Sequence, residues 1–320
     1  MDTSRYQSLI HGISSIDTGL GRPGLAACYL MEHQGRLAII ETGTTHTVPA
    51  ILDLIQSHGY EREAVDLVIV THVHLDHAGG AGALMQALPN AKLVVHPRGA
   101  RHMIEPSKLQ AGAIAVYGNE YFQENYGELI PVPEERVIIA DNQFTLSLGD
   151  RQLKFFDTPG HAFHHFCVFD SLSKGVFSGD TMGVVYKELC ENGKNFILPT
   201  TTPVQFEPNA LKASVDLLMG LYPEYFFLTH YGMVEALQAH AQQFKEHIDA
   251  YVDIALQCQS LPDRQMEIQH ALTNYTLTQL MEFGSSLSAQ RQRELLEGDL
   301  RLNAQGLDVW LTYLENQESK

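Results

Sequence analysis

The sequence has few basic residues and no long apolar run, and each shortage excludes a class of function. The chain of 320 residues carries 21 Lys and Arg against 38 Asp and Glu, a formal net charge of −17 at pH 7. Proteins that bind nucleic acid grip its phosphates through clustered Lys and Arg, so we expect no nucleic-acid partner. The negative charge also disfavours an anionic membrane surface. No stretch approaches the roughly 20 apolar residues that span a bilayer, so we expect no membrane partner.

The sequence also lacks paired cysteines. Its four cysteines are scattered and form no C-x-x-C pair: Cys28, Cys167, Cys190 and Cys258. A disulfide scaffold is therefore not expected, and a reducing compartment is favoured. Residues 1–17 show no basic segment followed by an apolar stretch, so no secretory signal is predicted. These features together predict a cytoplasmic protein.

The remaining composition is that of an ordinary globular chain, with 44% hydrophobic and 18% charged residues. The length suits one large domain, or one domain with an appendage. Apolar runs predict two strands over 25–32 and 36–42, joined as a hairpin by the turn at 33–35, and a buried strand over 92–96. Periodic apolar residues predict helices over 47–58 and 81–88. This alternation indicates a sheet covered by helices.

The metal-binding residue types are concentrated in the stretch His72-Val73-His74-Leu75-Asp76-His77. It follows the apolar run 67–70, which predicts a buried strand. Imidazole nitrogen and carboxylate oxygen suit zinc, iron or manganese. Two histidines spaced i, i+2 can face one ion, while the Asp and the adjacent His can face a neighbouring ion. The pattern therefore predicts a metal site at the end of this strand.

This stretch matches the His-x-His-x-Asp-His signature of the metallo-β-lactamase superfamily. Three later motifs occur in the order that this family requires. They are Thr158-Pro159-Gly160-His161, Ser178-Gly179-Asp180 and Leu228-Thr229-His230. The sequence thus resembles that superfamily over roughly residues 20–235.

The resemblance implies an α/β fold, the metallo-β-lactamase-like αββα sandwich, over a catalytic domain of residues 1–232. Beyond Gly232 the pattern predicts no strand, and residues 233–320 are predicted to form an all-α appendage. Its first helix is indicated by apolar residues that alternate spacings of four and three: Leu237, Ala241, Phe244, Ile248, Tyr251 and Ala255. The appendage could form a homo-oligomer, cover the active site or buttress the domain, and these alternatives stay open.

The family resemblance also implies the ligand roles. It assigns His72, His74 and His161 to a first metal ion. It assigns Asp76, His77 and His230 to a second, with Asp180 and a water or hydroxide bridging the two. Two divalent cations are implied, zinc being the best match to this donor set, with iron or manganese as alternatives. The catalytic candidates are Asp76 and Tyr231, and either Tyr231 or Tyr186 could donate to the oxyanion.

The sequence departs from the family pattern at three positions. Glu41 stands where the family usually carries Asp, as a carboxylate that supports the metal site, and it could reach the same partner by another rotamer. His164 replaces a glycine and could donate a supporting hydrogen bond. His165 occupies the position of a second histidine and is expected to be structural rather than a ligand.

The implied reaction is attack of the bridging hydroxide on the carbonyl of a thioester, lactone or ester, as in glyoxalase II and the acyl-homoserine lactonases. The substrate would be a small molecule with an acyl group. Three alternatives are phosphodiester hydrolysis, a one-iron sulfur (persulfide) dioxygenase that would not need His230, and a non-catalytic metal-binding regulator. The long aromatic segment 97–135 either forms a lid that favours an apolar substrate or packs on the domain.

Overall fold

The computed structural model describes residues 5–201 and 205–318, which pack as two compact units. The first unit comprises the residues up to Asp157 together with His164–Gly179 and Glu224–Met233. The second comprises Thr158–Phe163, Asp180–Pro223 and the residues from Val234 onward. The sequence also predicts that residues 181–205 form a loop beyond Asp180 that walls a substrate pocket, and Thr202 of this loop lies outside the described residues.

The larger sheet has seven strands in sequential order. Strands β1 to β4 run antiparallel, whereas β4 to β7 run parallel and are joined through helices. The strands are β1 (Tyr6–Ser8), β2 (Ile13–Asp17), β3 (Ala27–His33), β4 (Arg36–Ile40), β5 (Val65–Ile69), β6 (Lys92–Val95) and β7 (Val137–Ile139). The predicted hairpin is confirmed, with Tyr29 opposite Ile40.

The smaller sheet has six strands in the order β13-β12-β11-β10-β9-β8. They are β8 (Thr145–Leu148), β9 (Arg151–Asp157), β10 (Phe166–Asp170), β11 (Gly175–Val184), β12 (Tyr225–His230) and β13 (Gly232–Glu235). β13 contradicts the expectation of no strand beyond Gly232. Its four residues are too few to show an alternating pattern, and its place at the sheet edge beside β12 defines it instead.

In the first unit, the two sheets share one apolar core. Tyr29 of the larger sheet packs edge-on against Phe177 and Phe227 of the smaller sheet, with ring centroids 5.3 and 5.7 Å apart. The buried Tyr29 hydroxyl donates to the carbonyl of Leu228. Since both sheets bury aromatic and branched side chains on one face, the sandwich is held together by removal of apolar area from water.

The other face of the larger sheet is covered by helices. These are α1 (Val48–Ser57), the one-turn α2 (Leu75–Ala78), α3 (Ala81–Ala87) and α4 (Pro97–Ile104). The apolar face of α1, including Ile51, Leu54 and Ile55, is buried as its sequence period predicts. The segment 97–135 continues with α5 (Ser107–Tyr117) and α6 (Asn119–Asn125). The predicted α/β two-sheet architecture is thus confirmed.

The second unit is mainly helical. It contains α7 (Pro208–Met219), α8 (Gln238–Cys258), α9 (Arg264–Phe283) and α10 (Ala289–Glu318). The predicted seam of α8 is buried from Ala241 to Ala255, whereas Leu237 precedes the helix and is exposed. Residues 158–163 and 180–223 pack in this unit with the C-terminal helices. The predicted domain boundary at residue 232 therefore stays a prediction. None of the described helices is both long and apolar enough to cross a membrane.

Candidate metal centre

Strand β5 and helix α2 position the first histidines. The chain leaves β5 at Ile69, and His74 is the N-cap residue of α2, whose first turn carries Asp76 and His77. Because the chain passes directly from a strand into a helix, its backbone has little conformational freedom here, and successive side chains point in different fixed directions. Thr71, His72 and His77 are buried, at 0% exposure.

His72 and His74 face each other through ring nitrogens, with His72 Nε2 2.8 Å from His74 Nδ1. On the other side of the His72 ring, Nδ1 lies 3.1 Å from Thr71 Oγ1. The Thr71 hydroxyl gives its proton to Glu41 Oε1 at 2.5 Å, so it accepts the proton of His72 Nδ1. His72 therefore presents the lone pair of Nε2 towards His74.

Asp76, His77 and His230 form a second group in the first unit, with one potential ligand atom from each within 4.8 Å of the others. His230 Nδ1 donates to the carbonyl of Leu25 at 2.7 Å, and His77 Nδ1 donates to Glu41 Oε1 at 3.1 Å. The Nε2 atoms of His230 and His77 lie 3.2 and 3.5 Å from Asp76 Oδ2. In the neutral form of each imidazole, Nε2 therefore carries the lone pair, and this lone pair faces the carboxylate.

In the second unit, His161 and Asp180 make the same kind of pair. His161 Nε2 lies 3.2 Å from Asp180 Oδ2, and both residues are buried. His161 Nδ1 lies 3.0 Å from Thr200 Oγ1 and 3.3 Å from the Thr200 carbonyl. Because the Thr200 hydroxyl donates to the Asp180 carbonyl at 3.3 Å, it accepts the proton of His161 Nδ1.

Four of the seven predicted ligands share one chemical feature that fits metal ions. Nδ1 of four imidazoles is engaged by an acceptor, and in three of these the opposite nitrogen faces a carboxylate oxygen. A neutral imidazole nitrogen and a carboxylate oxygen that face each other repel unless a proton or a metal cation lies between them. Orientation of a metal-binding imidazole through its other N–H is the usual arrangement in metalloproteins. The donor set of imidazole and carboxylate suits zinc, iron or manganese.

Glu41 supports this group at the position where the sequence departs from the family pattern. Its carboxylate is 1% exposed and accepts from the amide and hydroxyl of Thr71, from His77 Nδ1 and from Thr229 Oγ1. The φ of Glu41 is 62°, in the left-handed region that residues other than glycine seldom adopt. With this backbone conformation, the Glu41 carboxylate forms hydrogen bonds to residues at the ends of β5 and β12 and to a residue of α2.

His164 and His165 lie beside His72. The His164 ring is stacked 6.1 Å from that of His72, and its Nδ1 is 3.5 Å from the amide of Val73. His165 is buried, with its ring 4.8 Å from that of His72. Gly179 makes room for it, since a Cβ there would come within 2.5 Å of His165 Nε2. Neither residue belongs to the ligand groups found among the described residues.

The two tyrosines proposed as oxyanion donors differ in their surroundings. Tyr186 is buried, and its hydroxyl donates to the Asp299 carboxylate at 3.0 and 3.1 Å. Because this contact already engages the Tyr186 proton, the suggestion that Tyr186 donates to an oxyanion gains no support and stays a prediction. Tyr231 is half-buried, and burial raises the pKa of its hydroxyl, as does the negative charge of Asp17.

Two residues that orient predicted ligands carry no role in the family signature. Thr71 lies directly before the signature, and its position next to a ligand was a signal that could have pointed to it. Thr200 lies 39 residues from His161, and no sequence pattern joins the two. Only the packing of the second unit shows that Thr200 orients a predicted ligand.

Comparison with known proteins agrees with this geometry. The family model of the metallo-beta-lactamase superfamily matches residues 21–230. The metallo-beta-lactamase fold-containing protein ST1585 of Sulfurisphaera tokodaii is 27% identical over 80% of this chain and 94% of its own length. Its solved structure aligns with a TM-score of 0.60 over 76% of this chain and 87% of that one, at 25% identity.

Two further comparisons show how much of the chain resembles known proteins, one in structure and one in sequence. The metallo-beta-lactamase family protein TTHA1429 of Thermus thermophilus aligns over 97% of this chain and 95% of its own, with a TM-score of 0.67. Its 18% identity supports a shared fold only. A hydroxyacylglutathione hydrolase of Enterobacter sp. is 29% identical over 48% of this chain. The chain spans 45% of the length of that relative.

Proposed function

The chain belongs to the metallo-beta-lactamase superfamily, and on that premise we propose that it is a metal-dependent hydrolase of small thioesters, lactones or esters. The observation that carries the proposal is the set of imidazole Nε2 atoms that face carboxylate oxygens in both units, while the Nδ1 atom of each ring is held by an acceptor. The partial match to a hydroxyacylglutathione hydrolase supports the choice of an acyl substrate.

The proposal assigns a full ligand set to two divalent ions, for which zinc is the best match. His72, His74 and His161 would hold the first ion. Asp76, His77 and His230 would hold the second, and Asp180 would bridge them. The hydrogen bonds at the Nδ1 atoms of His72, His77, His161 and His230 support this assignment, because each one selects the tautomer that a ligand through Nε2 needs.

Two such ions, when bound, supply an activated water at neutral pH and a Lewis acid for the acyl carbonyl. The residues of the chain do the positioning. Glu41 holds the His77 ring in place, and the Leu25 carbonyl holds that of His230. Asp76 is 29% exposed and is the ligand best placed to take a proton from an incoming water. Tyr231 keeps its proton, because burial raises its pKa, and could donate to the developing oxyanion.

The segment 97–135 supports an apolar acyl group. Phe122 is fully buried and packs with Leu75 and Leu129. The rings of Tyr117 and Tyr121 stack 5.6 Å apart, at 44% and 50% exposure. The segment thus packs on the domain, which is one of the two alternatives that the sequence left open, and its role as a lid stays a prediction. Its inner face is core, and its outer face is an aromatic surface.

This aromatic surface continues with Tyr126, which packs against the apolar cluster that contains Leu75, the sequence neighbour of the proposed ligand Asp76. The Tyr126 ring lies 5.8 Å from that of Tyr117, and the Tyr126 carbonyl accepts from the amide of Thr45. Burial raises the pKa of Tyr126, and the negative charge of Asp76 raises it further. A substrate held at Asp76 would therefore have tyrosine rings nearby to contact its acyl chain.

The first test measures metal content together with hydrolysis. We expect close to two ions per chain after reconstitution with zinc, and we expect the His77→Ala variant to lose one ion and most of the activity. His58→Ala is the matched control, because the His58 ring pairs with the exposed Glu32 instead of facing a proposed ligand. One ion in the wild type, with oxygen consumed on persulfides, would support the dioxygenase.

The second test is a substrate panel of thioesters, lactones and the phosphodiester bis-p-nitrophenyl phosphate, run with zinc, manganese and iron. We expect a neutral or apolar acyl substrate to be hydrolysed fastest. The reverse ranking would support the phosphodiesterase, which the net charge of −17 disfavours. Metal binding without turnover of any substrate would support a non-catalytic regulator.

A further inference from the structure

In the second unit, Asn303 of helix α10 forms hydrogen bonds to both ends of the loop 199–201. The Asn303 amide oxygen accepts from the amide of Thr201 at 2.7 Å, and its Nδ2 donates to the carbonyl of Pro199 at 3.0 Å. The Thr201 hydroxyl donates to the Asn303 carbonyl at 2.8 Å. Asn303 is 4% exposed and Thr201 is 2% exposed, so these bonds are shielded from water.

The residue between these two anchor points is Thr200, which touches both ligands of the second unit. Its hydroxyl accepts from His161 Nδ1 at 3.0 Å and donates to the Asp180 carbonyl at 3.3 Å. Pro199 and Thr201 are held on either side of it, so the position of Thr200 is set by α10. The hydrogen-bonded path runs from Asn303 through the loop to His161.

A second contact from the same helix secures the segment that follows Asp180. Tyr186 is 1% exposed, and its hydroxyl donates to the carboxylate of Asp299. Asp299 and Asn303 are four residues apart on α10 and therefore lie on one face of the helix. One helical face thus holds two segments that flank the predicted ligands of this unit.

We propose that Asn303 is a positioning residue for the metal centre, acting on His161 through Thr200. This inference rests on the proposed function, since it takes His161 as a metal ligand. It gives the C-terminal helices a role that the sequence left open between oligomerisation, cover and buttress. Helix α10 thereby holds the loop whose Thr200 orients the proposed ligand His161.

The physical reason is that the Asn303 amide can accept one hydrogen bond and donate another. The loop offers one backbone donor and one backbone acceptor, and only a side chain with both functions satisfies them together. A buried amide or carbonyl that loses its partner must find another, so removal of the Asn303 side chain shifts the loop. A shift at Thr200 loosens the Nδ1 contact that selects the His161 tautomer. Loss of such an outer contact typically weakens metal affinity about 10- to 100-fold.

The test measures metal affinity directly. Apo protein is titrated with Co²⁺ in the presence of a chromophoric chelator, and the two dissociation constants are fitted for the wild type and for Asn303→Ala. The matched control is Gln292→Ala on the same helix. Gln292 is 5% exposed, and its amide donates to the Leu287 carbonyl at 3.0 Å, without contact to the loop. Thermal unfolding of each apo variant reports its stability separately.

We expect Asn303→Ala to weaken binding of one Co²⁺ ion about tenfold, and Gln292→Ala to leave both constants within about twofold of the wild type. Wild-type dissociation constants in both Asn303→Ala and Gln292→Ala would overturn the inference. The same loss of affinity in both variants would also overturn it, because such a loss would follow from reduced stability alone. A wild type that binds no Co²⁺ would overturn the proposed function instead.

Two more variants keep the test decisive if Asn303→Ala does not fold. Thr200→Val is nearly isosteric and removes only the hydroxyl. Asn303→Asp keeps the acceptor for the Thr201 amide and removes the donor to Pro199. Each should weaken the same ion about three- to tenfold. In the double variant Thr200→Val/Asn303→Asp the effects should be less than additive, because both act on one contact. Full additivity would contradict the path through Thr200.

Discussion

His77 Nδ1 and Glu41 Oε1 lie 3.1 Å apart, and both residues are buried in the first unit. A carboxylate can only accept, so the proton of this hydrogen bond belongs to the imidazole, and Nε2 is left with its lone pair. The same carboxylate binds Thr71, which in turn orients His72. One glutamate therefore sets the tautomers of two predicted ligands, one for each proposed ion.

This relationship predicts that Glu41→Gln weakens metal binding about 10- to 100-fold, because a neutral amide orients and polarises the imidazole less strongly than a carboxylate. Zinc affinity measured by chelator competition checks it. Glu32→Gln is the matched control, since Glu32 also accepts from a tyrosine and a histidine but at the surface. Unchanged zinc affinity in Glu41→Gln would show that Glu41 does not contribute to metal binding.

The aromatic surface predicts a preference for longer acyl chains. Tyr121→Ala should raise KM about fivefold for octanoyl substrates and little for acetyl ones, because the lost contact corresponds to roughly 1 kcal/mol of apolar burial. Steady-state kinetics on a series of acyl lengths gives the answer. Tyr313→Ala removes a tyrosine of similar exposure from α10 and serves as control. A KM increase that is independent of acyl length would contradict the assignment.

A pH dependence of stability follows from His247 in α8. The ring is 2% exposed, its Nδ1 lies 2.8 Å from the Tyr275 hydroxyl, and Nε2 has no hydrogen-bond partner among the residues that the structure describes. Burial lowers the pKa of His247 to about 4, against a small opposing effect of Glu246. The folded-state pKa is thus below the unfolded value near 6.5, so folding favours the neutral ring. This contribution is present above about pH 6.5 and is lost as the pH falls towards about 4.

The wild type should therefore lose about 3 kcal/mol more unfolding free energy than His247→Gln between about pH 7 and pH 4. Urea unfolding of both proteins at a series of pH values measures this difference. EDTA is present throughout, so that loss of metal in acid does not contribute. Parallel curves for the two proteins would show that His247 titrates normally.

A buried ion pair makes a prediction for the first unit. The Arg151 guanidinium donates to both carboxylate oxygens of Asp170, at 2.7 and 2.5 Å, and both side chains are fully buried. Arg151→Met should lower the unfolding free energy by about 3–5 kcal/mol, because it leaves a buried carboxylate without its partner. Urea unfolding at neutral pH measures the loss.

The control for that measurement is Lys174→Met. The Lys174–Glu224 pair has a distance of 2.8 Å, but its side chains are 62% and 51% exposed. Solvent screens such a pair, so its loss should have little measurable effect on stability. Similar losses in the two variants would mean that burial does not decide the strength of these pairs.

Local patterns in the sequence were sufficient for much of the fold. The apolar period of residues 47–58 predicted α1, and the hairpin at 33–35 was confirmed, because both follow from contacts between residues near in sequence. The family signature placed the potential ligands at or just beyond strand ends; this agrees with His72, which follows β5, and with His230, which ends β12, whereas Asp180 lies within β11. The short strands β1, β2 and β13 escaped prediction, since they lack the continuous apolar run that marks strands of similar length such as β5 and β6.

The sequence by itself determined which residue types carry the chemistry, because ligands within six positions of one strand end need no tertiary information to be recognised. Only the tertiary structure decided how those ligands are oriented. Glu41 reaches His77 across 36 residues, Thr200 reaches His161 across 39, and Asn303 reaches Thr201 across 102. Such contacts follow from packing between distant segments, where any residue with a suitable donor or acceptor could serve, and so they leave no spacing in the sequence to be read.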